Sequence, residues 1–320
     1  MIKRFAALLW AAVLLAVCGC SSAGGDMYTG FYFDTVVSIT AYGAEAGQIE
    51  HAFRMCAEYE RLFSRTAEGS DVWRLNHAEG SEITVDGETA QLLGIARSVS
   101  EASGGAFDIT AAACSELWDF ENAVFPDERE LAEAVRLADY TAVELSGTRV
   151  RITNGGSIDL GGIAKGYIAD RLAEYFAAEG LAAIVNIGGD IAFSEKNPQG
   201  RPWRIGIRDI SDKTKNACYV NTDMAVVTSG VYERGFTYEG KRYHHILNPD
   251  TGFPAQSGIA SATVLAGTAA EADALSTACI VLGAEDGLKL IDDYEGAEAV
   301  FITNEGQIIC TKEAEDMLDG

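Results

Sequence analysis

The spacing of hydrophobic positions along the chain predicts its helices. Ile168, Leu172 and Phe176 recur at every fourth position, whereas Asp170 falls between them. This is the spacing of one face of an α-helix, so we expect the apolar side chains to face the core and Asp170 to face solvent. By the same reasoning, we predict helices over 44–63, 87–103, 166–180, 269–282 and 284–293.

Shorter segments rich in β-branched and aromatic residues predict strands. Helices and strands alternate without a regular strand–helix–strand repeat, which favours an α+β fold over a doubly wound sheet. The predicted strands are 30–42, 142–145, 149–153, 157–160, 182–187, 203–207, 224–228, 245–247, 259–265, 297–304 and 307–312.

Composition and charge narrow the range of functions. The chain has 320 residues, and its 24 Lys and Arg residues against 48 Asp and Glu residues give a formal net charge of −24. Such a chain repels polyanions, which excludes a nonspecific nucleic-acid binder. The chain is 48% hydrophobic and has no linker-like interior run, so we expect one compact body.

The N-terminus has the pattern of an export signal. Lys3 and Arg4 precede an apolar run over 5–17, which is too short to span a bilayer as a helix. The small residue Gly19 directly before Cys20 resembles a bacterial lipobox, whereas Cys18 follows Val17. We therefore predict a signal peptide over 1–19, a tether over 20–27 lipidated at Cys20, and one domain over 28–320. A plain secretory signal or an uncleaved anchor remains the alternative.

Five further cysteines do not form a recognisable set. They are odd in number, widely spaced and without a Cys-x-x-Cys pair, so neither a disulfide framework nor a zinc site is indicated. We expect most of them to be small core residues. They are Cys56, Cys114, Cys218, Cys279 and Cys310.

The densest polar motif lies over 159–170, between a predicted strand and a predicted helix. Gly161 and Gly162 let backbone N–H groups approach a ligand, the helix start carries partial positive charge, and Lys165 adds a full charge. Together these features suit a pyrophosphate. The glycine spacing fits neither a Walker A loop nor a dinucleotide-binding fingerprint, and a tight turn with a surface lysine is the alternative.

A second motif places a carboxylate and a hydroxyl one helical turn apart. Asp273 and Thr277 share a face of the helix predicted over 269–282. Such a pair can hold a hard cation, and Mg²⁺ fits best because it needs few protein oxygens when water and phosphate complete its shell. The alternative is a threonine bonded into its own helix beside a solvated aspartate.

Two more segments carry candidate chemistry. A histidine at 244–245, beside a Pro/Gly turn, has a pKa suited to a general base, although such a residue can be purely structural. Ser229 at the end of another predicted strand offers a hydroxyl group to the same ligand. The run Gly104-Gly105-Ala106-Phe107-Asp108 can cradle a flat heterocycle, or bury a phenylalanine in a turn.

Taken in chain order, these four motifs strongly resemble the ApbE family of FAD:protein FMN transferases. The segments 31–35, 70–76 and 186–190 add to the likeness, which spans about 28–282. The resemblance implies a single α+β domain of the ApbE type, related to T-fold proteins. It also implies an exported lipoprotein, anchored to the bacterial membrane at its extracytoplasmic face, that binds FAD and Mg²⁺.

The resemblance implies roles for particular residues. Asp273 and Thr277 match metal ligands, with the backbone carbonyl of Gly162 as a third. His245 matches the catalytic base and contacts FAD, and Lys165 matches a catalytic residue that also holds FAD. The remaining implied FAD contacts are Phe33, Ala106, Phe107, Asp108, Asp159 and Ile246.

The implied reaction cleaves FAD, releases AMP and attaches FMN through a phosphoester to Thr or Ser of a partner flavoprotein. The implied acceptor site is similar to Asp-x-x-[Thr/Ser]-Gly-Ala-[Thr/Ser]. Two alternatives remain open from the residues: an Mg²⁺-dependent FAD pyrophosphatase, in which water replaces the acceptor, and a non-catalytic flavin-binding lipoprotein.

Overall fold

A computed structural model describes residues 24–212 and 214–319. The predicted signal peptide and Cys20 lie outside these residues. Within them no helix is both long and apolar enough to cross a membrane. The α-helices are α1 Ala46–Phe63, α2 Asp71–Asn76, α3 Gly87–Ala102, α4 Ala112–Ser115, α5 Glu128–Val135, α6 Ala164–Ala178, α7 Ala269–Leu282, α8 Ala284–Asp293 and α9 Lys312–Met317.

The strands form one large sheet and three small ones. The large sheet has eight antiparallel strands in the order β1-β2-β6-β7-β10-β13-β14-β15. The strands are β1 Asp26–Tyr32, β2 Thr35–Ala41, β3 Ile83–Thr84, β4 Val143–Ser146, β5 Arg149–Ile152, β6 Ala183–Ile187, β7 Asp190–Phe193, β8 Trp203–Arg208, β9 Asn216–Thr222, β10 Ala225–Gly230, β11 Gly235–Tyr238, β12 Lys241–His244, β13 Ile259–Ala266, β14 Glu298–Thr303, β15 Ile308–Cys310 and β16 Leu318–Asp319.

Helices cover one face of the large sheet. On β2, Val37 and Ile39 are fully buried beneath them, while Ser38 and Thr40 point to the other face and are half-buried. α6 and α7 lie centrally, against β6, β7, β10 and β13. This period-two alternation is what an antiparallel sheet with one covered face requires.

A smaller layer covers part of the opposite face. The sheet β16-β9-β8 packs there with α9. Its Ile207 and Val220 join Val226, Leu265 and Ile302 of the large sheet in a second hydrophobic core. The mixture of helices with an antiparallel sheet confirms the predicted α+β class.

Most predicted helices and strands are found, but three strand predictions are wrong. The segment 30–42 is a hairpin, because Phe33 and Asp34 both have φ of 56° and turn the chain between β1 and β2. The segment 157–160 runs beside Asn76 without a strand partner. In the third case the strand β12 ends at His244, so 245–247 is a loop with one bridge from Leu247.

Two further expectations concern burial. Asp170 does not face solvent: its carboxylate accepts hydrogen bonds from the backbone N–H groups of Ala269 and Ala270, at 2.8 and 2.9 Å, and so caps the start of α7. The expectation for the cysteines is confirmed for the four that are buried, and Cys310 is half-buried; all five are free thiols.

Candidate active site

Several predicted site residues meet at one end of the large sheet. β2 begins and β6 ends there. Phe33 lies in the turn from β1 to β2, and Gly188 and Gly189 form the turn from β6 to β7 with φ of 64° and 112°, conformations that favour glycine. A Cβ atom on Gly188 would lie 2.7 Å from Oγ1 of Thr35, so the two turns touch.

Lys165, in the first turn of α6, lies between two buried carboxylates. Its Nζ is 2.8 Å from Oδ2 of Asp190, the first residue of β7, and 3.2 Å from Oδ2 of Asp273 on α7. The two aspartate side chains are each 3% exposed and that of Lys165 is 28% exposed. The predicted phosphate-binding lysine and the predicted metal ligand are therefore direct neighbours.

A glycine makes this arrangement possible. The backbone N–H of Gly166 donates to Oδ2 of Asp273 at 3.2 Å. A Cβ atom at position 166 would lie 2.1 Å from the carbonyl oxygen of Ala269, so only glycine lets the start of α6 approach the start of α7 this closely.

Burial and the neighbouring charges shift the pKa values of Lys165 and Asp190. Burial disfavours the charged ammonium of Lys165, but the carboxylates of Asp190 and Asp273 outweigh this effect and raise its pKa. Burial and then repulsion by Asp273 raise the pKa of Asp190, against the lowering effect of Lys165. Lys165 therefore stays cationic at neutral pH.

Thr277 lies in the second half of α7, one turn after Asp273. It is half-buried, whereas Asp273 to Ser276 are buried. Its hydroxyl lies 3.3 Å from Oγ of Ser229 at the end of β10, and a Cβ atom on Gly162 would lie 3.7 Å from Thr277 Oγ1. Because Asp273 is buried and Thr277 contacts another element, the alternative of a solvated aspartate beside a helix-bonded threonine is not what the structure contains.

The donor set at this point fits a hard divalent cation. Among the described residues, no three His, Cys, Asp or Glu side chains converge as a metal site, so carboxylate, hydroxyl and carbonyl oxygens would have to share the task. Asp273 offers the carboxylate, Thr277 the hydroxyl and Gly162 the backbone carbonyl. Ser229 adds a second hydroxyl. All are oxygen donors, which is the set that Mg²⁺ prefers.

The two adjacent histidines have different surroundings. His244 is 3% exposed and its Nε2 lies 2.8 Å from the carbonyl oxygen of Ala255. His245 is half-buried, and its Nδ1 lies 3.3 Å from the carbonyl oxygen of Arg234. Since a carbonyl only accepts, Nδ1 of His245 carries the proton and its Nε2 is left as a base.

The pKa of His245 determines its protonation state. Burial is the main cause that lowers it to about 4, and the positive charges of Arg234 and Lys165 add to the effect. The imidazole is therefore neutral across the neutral range and can accept a proton.

Of the predicted flavin contacts, Phe107 lies beside Gly162, whereas Asp108 and Asp159 are hydrogen-bonded to other groups of the protein. Phe107 is buried with its ring beside Gly162, since Cε2 would lie 3.3 Å from a Cβ atom there. Asp108 accepts from the N–H and hydroxyl of Thr110 and from the N–H of Tyr140, at 2.7, 2.6 and 3.0 Å, so its carboxylate is held by protein donors. Asp159 accepts from the N–H of Gly161 at 2.8 Å.

The other predicted contacts lie near these residues in the chain. Ala106 is half-buried directly before Phe107, and Ile246 is 6% exposed directly after His245. Phe33 is half-buried, with its backbone N–H donating to Glu60 at 2.8 Å. Their contact with FAD stays a prediction.

Two residues lie at the site to which the resemblance assigns no role. Asp190 belongs to the segment 186–190 that contributed to the resemblance, and Ser229 was considered only as a hydroxyl donor to a ligand. The sequence signal for Asp190 is the preceding glycine pair, which predicts a sharp turn after a buried strand. Its partner Lys165 is 25 positions away, so spacing alone could not pair them.

Comparison with known proteins shows the family of the chain. The model of the ApbE family matches residues 33–301. A relative from Treponema pallidum named FAD:protein FMN transferase is 34% identical, over 89% of this chain and 88% of its own. A relative of the same name from Klebsiella pneumoniae is 30% identical, over 88% and 90%.

Solved structures are similar over nearly the whole chain. The ApbE protein of Thermotoga maritima superposes with a TM-score of 0.85 at 33% identity, covering 92% of this chain and 100% of its own. The flavinyl transferase ApbE of Pseudomonas stutzeri in its apo form gives 0.81 at 28% identity, covering 93% and 98%. The fold is thus that of the ApbE flavin transferases, and the relatives show that the protein is a transferase. The chain belongs to the ApbE family.

Proposed function

We propose that the protein is an Mg²⁺-dependent FAD:protein FMN transferase that releases AMP and joins FMN to a Thr or Ser hydroxyl of a partner flavoprotein. The observation that carries this proposal is the contact of Lys165 with Asp273, one helical turn from Thr277, at the start of α6. This arrangement brings a phosphate-binding cation and a hard-cation site to one point. The names of the relatives from Treponema and Klebsiella support it.

The reaction displaces AMP from the FMN phosphorus, so the protein mainly has to stabilise charge. Bound Mg²⁺, held by Asp273, Thr277 and the carbonyl of Gly162, would neutralise charge on the diphosphate of FAD. Lys165 supplies a second positive charge, and the partial positive charge at the start of α6 favours the same anion. The chain's own residues thus bind and orient the diphosphate.

His245 is the proposed base. Its Nε2, left unprotonated by the bond from Nδ1 to Arg234, accepts the proton of the acceptor hydroxyl as the oxygen attacks phosphorus. Because the pKa of His245 is lowered to about 4, the imidazole is in the accepting form before the acceptor arrives.

The competing activity is hydrolysis of FAD at the same site. Water in place of the acceptor hydroxyl would give free FMN and AMP with the same residues in the same roles. The test incubates the purified protein with FAD and Mg²⁺, with and without an acceptor domain that carries the predicted Thr/Ser motif. A fluorescent adduct on the acceptor with an equal amount of AMP supports transfer.

The other outcomes each decide between functions. Free FMN with AMP in both samples, and no adduct, identifies a pyrophosphatase. Tight FAD binding without AMP under any metal identifies a flavin-binding lipoprotein. Replacing the acceptor Thr by Val is the matched control, since it removes only the attacking hydroxyl.

We further propose that the mature protein is attached to the extracytoplasmic face of the membrane through lipid on Cys20. The apolar run over 5–17 and Gly19 directly before Cys20 support this. The Cys20→Ser variant should move from the membrane fraction to the soluble fraction after export, whereas the matched Cys18→Ser variant should remain membrane-bound. Retention of both variants in membranes would contradict this assignment.

A further inference from the structure

One ammonium group faces two buried carboxyl groups at the site. Lys165 contributes one positive charge, and Asp190 and Asp273 contribute two carboxylates. The ammonium lies closer to Asp190, at 2.8 Å, than to either oxygen of Asp273, at 3.2 and 3.4 Å. The ammonium is therefore shared, with its shorter contact to Asp190 and its longer contacts to Asp273, the carboxylate that a divalent cation needs.

Lys165 is also the nearest competitor for that carboxylate. A lysine side chain is long and flexible, so without a second partner it would settle on Asp273 and neutralise it. Asp190 is well placed to prevent this. It is 2% exposed, pairs with Ile187 across the turn from β6 to β7, and directly follows the turn residues Gly188 and Gly189, so its position is fixed by the sheet.

We propose that Asp190 is a positioning residue that gives Lys165 a second partner, so that the ammonium can leave the Asp273 carboxylate to a divalent cation. This inference rests on the proposed function, because it assigns Asp190 a task at the same metal site. Asp190 acts through Lys165 and does not itself touch the metal or the substrate. When the cation binds Asp273, the ammonium stays on Asp190, within reach of the substrate diphosphate.

The inference predicts how two substitutions combine. In Asp190→Asn, Lys165 turns to Asp273 and metal binding weakens by about tenfold, since neighbouring groups in one network couple strongly. In Lys165→Met the competitor is gone, and binding is as tight as in the wild type or tighter. Adding Asp190→Asn to Lys165→Met then changes binding by less than about threefold.

The test measures Mn²⁺ binding by electron paramagnetic resonance of the free ion, without FAD, in the purified wild type, both single variants and the double variant. Asp273→Ala defines the binding that belongs to this site, because an acidic surface also binds Mn²⁺ weakly. Equal weakening by Asp190→Asn in both backgrounds would show that Asp190 is a direct ligand or acts only through its charge, and would overturn the proposal. So would the absence of Asp273-dependent binding at millimolar Mn²⁺.

Controls separate this role from a structural one. Asp319→Asn removes the same charge from an exposed ion pair with Arg204 on the small sheet and should leave Mn²⁺ affinity unchanged. Asp190→Glu keeps a carboxylate for Lys165 and should retain most of the affinity; it also serves as the test if Asp190→Asn does not fold. A loss in Asp190→Glu as large as in Asp190→Asn would contradict the proposal.

Failure of this inference is distinguishable from failure of the proposed function. A wild type that transfers FMN, with no coupling between Asp190 and Lys165 in Mn²⁺ binding, contradicts the positioning role alone. A wild type that shows the coupling but forms neither adduct nor AMP contradicts the transferase and leaves the positioning role intact.

Discussion

Asp273 combines a buried carboxylate with a position one turn before a hydroxyl on the same helix. In Asp273→Ala we expect Mg²⁺-dependent AMP release to fall by about 10²-fold or more, because the charge that holds the cation is lost. The measurement is AMP formed from FAD at saturating Mg²⁺, with melting temperature as a check on folding. Full activity in this variant would remove Asp273 from the metal site.

Replacing Thr277 tests the same metal site, because a single hydroxyl oxygen can be removed there. Thr277→Val keeps the volume of the side chain but removes the hydroxyl that lies 3.3 Å from Ser229. We expect the Mg²⁺ concentration for half-maximal rate to rise about tenfold, as when a metal-site partner is lost. The matched control is Thr222→Val, a buried threonine of β9, which should leave this concentration unchanged. An equal response of both variants would contradict the ligand role.

The lowered pKa of His245 predicts an unusual pH dependence of the transfer rate. Since its pKa is lowered to about 4, the imidazole protonates only near that pH, and kcat/KM for transfer should stay flat on the acidic side down to about pH 5. An unperturbed histidine would instead give a limb near pH 6.5. His245→Gln should lower kcat by about 10²- to 10⁴-fold. A limb near pH 6.5 in the wild type, lost in His245→Gln, would show that burial does not control this group.

Much of the residue-level chemistry can be predicted from the sequence because it is local. Asp273 and Thr277 lie on one helix, and Gly162 and Lys165 lie in one turn, so spacing places each pair. The contacts between these pairs depend on how α6 packs on α7, which no local pattern encodes. The same holds for Asp190 and Ser229, which the sheet brings in from β7 and β10.

At the scale of the elements, the close approach of α6 and α7 positions the site. In Gly166→Ala the new Cβ atom would meet the carbonyl oxygen of Ala269 at 2.1 Å, and backbone cannot yield as a side chain can. We expect a loss of about 1–3 kcal/mol in the free energy of unfolding, together with weaker metal binding as Asp273 is displaced. Denaturant unfolding measures the first effect.

A matched glycine separates this effect from helix propensity. Gly94 lies inside α3, and a Cβ atom there would have no neighbour within 4 Å. Gly94→Ala should therefore stabilise the protein by about 0.5–1 kcal/mol, because alanine is the better helix former. If both substitutions stabilised the protein, the contact between α6 and α7 would be looser than the structure shows.

The strands that the sequence failed to predict lack a clear local signal. The hairpin of β1 and β2 has no Asn-Gly or Gly-Gly turn signal, since Phe33 and Asp34 form the turn, and so the two strands appear continuous in the pattern. β7 has only four residues, and β9 mixes polar with apolar residues. The prediction that Asp170 faces solvent is wrong because its carboxylate caps α7, a contact with a residue 99 positions away.

At the scale of the whole molecule, the net charge of −24 determines which acceptors approach fastest. A field of this sign attracts basic surfaces and repels acidic ones, and it is screened by salt. Two acceptor domains that differ only in the charge of the residues flanking the Thr/Ser motif should therefore be labelled at different rates. We expect the basic one to react about tenfold faster at low ionic strength, through a higher association rate.

Raising the salt concentration supplies the control for that prediction. At about 1 M the Debye length is about 3 Å, so the rates of the two acceptors should converge while the rate at saturating acceptor stays the same. Equal rates at low salt would mean that contacts close to the hydroxyl, and not the acidic surface, select the partner. A difference that persists at high salt would mean that specific contacts to the flanking residues, and not the long-range field of the acidic surface, favour the basic acceptor.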